Sequence, residues 1–219
     1  MIVVVGSPLV GVTEGGLRAA GMATGIARAA AVAGSEVQVV GKVGEDPGGD
    51  AILLDLAAGN VGHVAILRDP SRPTPAASLA PADEPAFDDE GDRPISDDTD
   101  PVTTEFGLSL EGADIELALR YLPDYRVLVV ADSLAEPSLQ VALAAASWNG
   151  AALVVIVPAG ATQPAAGEDA TVIEAPPDDP DDAFAGIVGA YAAAIDRGEE
   201  PKEAFASASS TLGWSAVAD

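Results

Sequence analysis

The apolar positions of this chain fall into short continuous runs separated by stretches of helical period. Ile2 to Val5 is an unbroken β-branched run ended by Gly6-Ser7-Pro8, the pattern of a strand buried on both faces. Ala20 to Gly34 consists almost wholly of small residues and closes at a glycine, which predicts a smooth helix able to pack closely. Val37 to Val40 predicts a strand, Gly41 to Asp50 a loop, and Asp50 to Gly59 a helix with Ile52, Leu53 and Leu56 on one face. Val61 to Leu67 predicts a further strand, in which His63, the one histidine, reads as a half-exposed strand residue.

Further along, Ile115, Ala118, Leu119 and Leu122 mark a helix, and Arg126 to Ala131 a buried strand. Pro137 to Trp148 predicts a helix closed at Asn149-Gly150, with Trp148 as a packing residue, and Ala151 to Val157 the next strand. A strand, helix and strand of these lengths form a right-handed crossover of a parallel sheet. Phe184, Ile187, Val188, Tyr191 and Ile195 recur at three- and four-residue steps. They predict a helix across Asp178 to Gly198, with Asp179 as N-cap, Pro180 at the first helical position and Arg197-Gly198 at the C-terminus. A last helix begins at Pro201, its Phe205, Ala208 and Leu212 expected to face the sheet. The predicted class is α/β, a three-layer α/β/α sandwich with a mainly parallel central sheet.

Composition narrows the picture. The chain has 219 residues, 48% apolar, long enough for one domain with a substantial core. From Asp69 to about residue 105 it turns rich in Pro, Asp and Glu, and this part reads as an acidic loop or edge hairpin on that domain. Acidic residues number 35 against 10 basic ones, for a formal charge of -25, and Lys42 and Lys202 are the only lysines. Such a charge repels itself at ordinary ionic strength but not at molar salt, where the Debye length is about 3 Å. Excess acid, few lysines and small apolar residues together predict a cytoplasmic protein of a salt-in halophile. The same charge argues against nucleic acid and anionic membranes as partners. Cysteine is absent, which excludes disulfides and thiolate metal sites. The acidic runs lack the Asp-x-Asp-x-Asp-Gly spacing of a calcium loop and read as solvated surface, so no metal is expected. Met1-Ile-Val-Val-Val-Gly lacks a basic leader, in keeping with the cytoplasm.

Two passages carry a family resemblance. Ala20-Gly21 through Gly25, then Gly41-Lys42-Val43-Gly44-Glu45-Asp46, resembles the first signature of ribokinase-like (PfkB) carbohydrate kinases. Asp182-Ala183-Phe184-Ala185-Gly186 resembles the end of their Gly-Ala-Gly-Asp-Ala-Phe signature. The resemblance implies a reduced ribokinase-like fold lacking the lid, since the interval Val10 to Ala20 leaves no room for the strands a lid requires. It makes Asp182 the catalytic base, the residue that takes the proton from a sugar hydroxyl, and MgATP the cofactor of a kinase reading.

The departures are as specific as the matches. Asp179, Pro180 and Asp181 stand where the family has the anion-binding glycines. Gly11 stands for its sugar-holding Asp and Gly25 for its Asn, and no Asn-x-x-Glu motif precedes Asp179. The expected function is therefore a non-catalytic PfkB-like protein, a pseudokinase acting as a binding or regulatory subunit through a protein partner or self-association. Two alternatives are an ATP-dependent sugar or nucleoside kinase and a small-molecule sensor. A binding subunit is expected to expose a sizeable apolar patch.

Overall fold

The computed structural model describes residues 1–13, 15–77, 108–162, 164, 166–167, 170–177, 179 and 181–211. In chain order its elements are β1 (Ile2–Val5), β2 (Leu9–Thr13), β3 (Gly16–Ala20), α1 (Met22–Val32), β4 (Val37–Gly44), α2 (Pro47–Ala58) and β5 (Gly62–Asp69). They continue as α3 (Gly112–Tyr121), β6 (Val127–Val130), α4 (Glu136–Asn149), β7 (Ala152–Val157), β8 (Ala170–Glu174), α5 (Ala183–Asp196) and α6 (Pro201–Thr211).

The main sheet has the order β5-β4-β1-β6-β7-β8, and every neighbouring pair is parallel. β1 lies at its centre with all four residues buried, which is why its sequence is apolar without alternation. Its side chains nevertheless divide by the two-residue period of a strand. Ile2 and Val4 join Val127, Val129, Val154 and Ile156 in a core roofed by α1, α2, α5 and α6. Val3 and Val5 join Leu128, Val130, Val155 and Val157 beneath α3 and α4. The result is the expected three-layer α/β/α sandwich.

Several expectations change. Leu9 to Ala20 is a hairpin, β2 against β3 in antiparallel register from Leu9↔Ala20 to Thr13↔Gly16. Two five-residue strands and a tight turn fit into twelve residues, so the interval has room for strands after all. Val10 also bridges to Ala76; of the expected acidic loop or edge hairpin, residues 78–105 lie outside the described residues. The predicted loop from Gly41 is the second half of β4, which continues to Gly44 and lets α2 begin at Pro47 under an Asp46 cap. β8, Ala-Thr-Val-Ile-Glu, was not foreseen: it is a short edge strand, nowhere fully buried, without a continuous apolar run to reveal it.

Helix α5 starts at Ala183, later than predicted, and Pro180 lies outside the described residues. Helix α6 turns its small residues Ala204 and Ala208 inward and packs on α5, while Phe205 meets Tyr191 edge-on with ring centroids 6.1 Å apart. Leu212 is outside the described residues. His63 is half-buried, as expected. Trp148 is 92% exposed, not a packing residue. No helix among the described residues is long and apolar enough to cross a membrane.

Candidate functional site

In an open parallel sheet the natural ligand crevice lies at the carboxyl ends of the strands, where successive connections depart in opposite directions. Here that point is between β1 and β6. The chain moves outward from β1 to β4 and β5, then resumes on the other side with β6, β7 and β8. The residues that leave these two strands are Gly6-Ser7 and Ala131-Asp132. The Ser7 amide donates a hydrogen bond to Asp132 Oδ2 across the crevice. Burial pushes the Asp132 carboxyl up, against the opposing effect of its bonds to Ser7. Two cavities open beside this pair. One of about 610 Å³ is lined by Ser7, Arg72, Glu111, Ser133 and Ser138, and one of about 380 Å³ by Asp132, Ser133, Glu136 and Thr162. Sequence reasoning passed over Asp132. The signal was a carboxylate immediately after a wholly buried strand, at the end of the sheet where ligands bind.

Helix α5 delivers Asp182 to the same end of the sheet. Its far end is tied to the amino ends of the strands, where Asp196 holds the Met1 ammonium at 2.9 Å and Arg126 Nε at 3.1 Å. The start of α5 therefore points to the carboxyl ends. Close contact with α1 fixes its position. A Cβ on Gly189 would lie 2.6 Å from the Ile26 carbonyl oxygen and 2.5 Å from the Ala29 Cβ. At the next crossing point a Cβ on Gly25 would lie 2.9 Å from the Ala185 Cβ and 3.5 Å from Asp182 Oδ1. Gly25 is the position assigned to the substrate-contacting Asn by resemblance. Ala185 occupies the space that side chain would need.

The first turn of a helix exposes amides that attract anions. In α5 two of these amides, those of Phe184 and Ala185, are already engaged by one residue. Asp179 accepts from the Phe184 amide through Oδ1 and from the Ala185 amide through Oδ2, both at 2.9 Å. Its backbone carbonyl accepts from the Asp182 amide at 3.2 Å, and Pro180 has no amide hydrogen to offer. Asp182 is the N-cap residue but makes no capping bond with its own side chain, and it sits in the left-handed region at φ 52°. Partial burial raises its carboxyl above the usual range, the Asp179 charge adds to this, and Arg28 works against it.

A phosphate group does not fit this arrangement. It would have to displace Asp179 and lie among carboxylates, each of which costs roughly 4 kcal/mol at about 4 Å and an effective dielectric near 20. Asp182 lines neither of the two cavities beside Asp132. Gly11 lies in β2 opposite Arg18, with no side chain to grip a hydroxyl. Among the described residues no group of three or more His, Asp or Glu is placed to hold a metal ion.

No protein-family model matches the sequence, and no curated protein is similar to it. Solved structures are similar in shape. An Arabidopsis thaliana ribokinase, solved with ribose and ATP, superposes with a TM-score of 0.62 at 13% identity over 96% of this chain and 90% of its own. An Escherichia coli protein named as a candidate ribokinase II, solved with ATP and Mg2+, gives 0.65 at 15% identity over 94% and 89%. The fold is ribokinase-like. A protein named Sa239 gives 0.64 at 14% identity over 99% and 95%. Identities this low speak for architecture alone. The function has to be argued from this chain's own residues at α5 and the crevice.

Proposed function

We propose that this chain is a ribokinase-like protein that does not transfer phosphate and works by binding, as a regulatory or partner subunit in the cytoplasm of a halophile. The observation that carries the reading is Asp179, whose carboxylate accepts the Phe184 and Ala185 amides at the one helix end where a phosphoryl group would need them. Phosphoryl transfer depends almost entirely on positioning and on stabilising charge. An occupied helix end, three carboxylates around it and the closed contact at Gly25 work against both. The formal charge of -25 supports the halophilic setting, where salt screens the self-repulsion.

The kinase alternative keeps Asp182 as base and MgATP as cofactor. Its test is an assay of MgATP-dependent phosphorylation across a panel of sugars, polyols and nucleosides in molar KCl. The proposal expects no product; turnover that vanishes in Asp182→Asn would overturn it. A second reading, small-molecule sensing without reaction, draws support from the crevice at Ser7 and Asp132 with its cavity of about 610 Å³. Stabilisation of the protein by a neutral polyol, lost in Asp132→Ala, would favour that reading over a protein partner.

A further inference from the structure

On the opposite layer from α5, helices α3 and α4 present an apolar face that no other element covers among the described residues. Trp148 is 92% exposed. Between the two helices lies a groove of about 550 Å³ with Leu119, Pro123 and Val141 in its walls and Trp148 at its border. In a chain with only 4% aromatic residues, an indole left in water at the border of an apolar groove needs an explanation.

Charge distinguishes this face from the rest of the surface. From Pro137 to Gly150 there is no charged residue at all. The two charged residues that line the groove, Glu116 and Arg120, cancel, within a chain of formal charge -25. Glu116 and Arg120 are both exposed, one turn apart on α3, and pair at 2.7 Å. We infer that this face is the interface of a homodimer, in which the α3 and α4 surfaces of two copies meet about a twofold axis.

The occupant is a second copy because the face is complementary to itself. An isologous contact repeats every interaction twice, so it needs knob, hole, acid and base on one patch. The patch has all four. Trp148 is the knob and the groove beside it the hole, while Glu116 and Arg120 can exchange their internal pair for two pairs across the axis. Contact elsewhere on the surface brings together two strongly acidic copies, which repel. Helices of 10 and 14 residues side by side offer a face about 15 to 21 Å long and roughly 20 Å wide, about 300 to 420 Å² per copy, the scale of a weak and reversible dimer. The inference goes beyond the proposed loss of phosphoryl transfer and does not depend on it.

Sedimentation equilibrium in molar KCl across the micromolar range tests it. The expected mass is twice the 21.8 kDa of one chain, with dissociation as salt is lowered and the acidic surfaces repel. Trp148→Glu is expected to weaken the dimer at least about thirtyfold, the scale of an aromatic anchor, with the circular dichroism spectrum unchanged because the side chain is exposed. Arg120→Glu alone is expected to weaken association, and Glu116→Arg with Arg120→Glu to restore it. In a Trp214→Phe background, Trp148 emission shifts to shorter wavelength as the concentration rises. A monomer throughout the range, or a dimer indifferent to Trp148→Glu, overturns the inference. So does a different protein found on this face while the chain alone stays monomeric.

Discussion

Helices α2 and α5 both begin at the carboxyl ends of the strands, and in both an upstream aspartate accepts amides of the first turn. At α2 the cap is local. Asp46 is the N-cap residue itself, extended at φ -141°, and its Oδ1 accepts from the Gly49 amide three residues on at 2.8 Å. The rest of its capacity is spent on structure: Thr74 donates its amide to Oδ2 and its hydroxyl to Oδ1, both at 2.7 Å, and Thr74 Oγ1 accepts from the Gly44 amide at 2.9 Å. At α5 the N-cap residue, Asp182, makes no capping bond with its side chain, and Asp179 reaches five and six residues forward to do so. The first aspartate fastens a strand, a helix and the segment after β5 to one another. The second ties down only the start of its own helix, through the Phe184 and Ala185 amides.

The comparison breaks most completely if α5 is lifted from α1. Gly189→Leu forces side-chain atoms into the Ile26 carbonyl and Ala29, and is expected to cost about 3 kcal/mol or more, read from urea unfolding in molar KCl. Asp46→Ala is next, at about 2 kcal/mol, because it removes a helix cap and also leaves the Thr74 amide without its acceptor. Asp179→Gly removes only a cap and is expected to cost about 1 kcal/mol. It differs in kind from Asp46→Ala, because it frees two helix amides, and with Asp181→Asn and Asp182→Asn added to remove the remaining carboxylates inorganic phosphate is expected to become stabilising.

Acid separates the two helix starts by sign. The hydroxyl and amide of Thr74, with the Gly49 amide, hold Asp46 below the ordinary carboxylate range. The folded state then binds its proton less tightly than the unfolded chain, so its stabilisation is present above the ordinary carboxylate pKa and is lost as pH falls toward the folded value. Asp182 is raised by burial and by Asp179, so the folded state binds its proton more tightly. Its unfavourable contribution is present at neutral pH and relieved as pH falls through the raised value. Thermal melts across that range are expected to show Asp46→Asn below the parent and Asp182→Asn above it at neutral pH. Both differences should shrink on acidification, and these are the smallest effects predicted.

The layers and the strand order were legible because buried parallel strands announce themselves: Ile2 to Val5, Val127 to Val130 and Leu153 to Val157 are apolar without interruption. The hairpin of β2 and β3 was hidden by its brevity, and β8 by its place at the sheet edge, where Ala170 to Glu174 is nowhere fully buried and need not be apolar throughout. At the site, the replacement of glycines by Asp179, Pro180 and Asp181 could be read directly. Asp179 was read as the cap, but not its reach: the helix starts only at Ala183, and the Asp179 carboxylate comes back to the Phe184 and Ala185 amides five and six residues on. Asp132 was missed for a related reason: its partner Ser7 is 125 residues away in sequence and meets it only because β1 and β6 are neighbours. Trp148 was misjudged because helical period shows that a residue lies on a face, not that another layer covers that face.

The most direct measurement is the thermal stability of the parent and of Asp179→Gly in molar KCl, each with and without saturating MgATP. A ligand at a hundred times its dissociation constant stabilises by about 2.7 kcal/mol, which for a chain of this length is a shift of about 5 to 10 °C. The account predicts no shift for the parent and an upward shift for Asp179→Gly once Asp181→Asn and Asp182→Asn remove the remaining carboxylates. An upward shift of the parent would contradict it, because the start of α5 would then be open to phosphate with Asp179 in place.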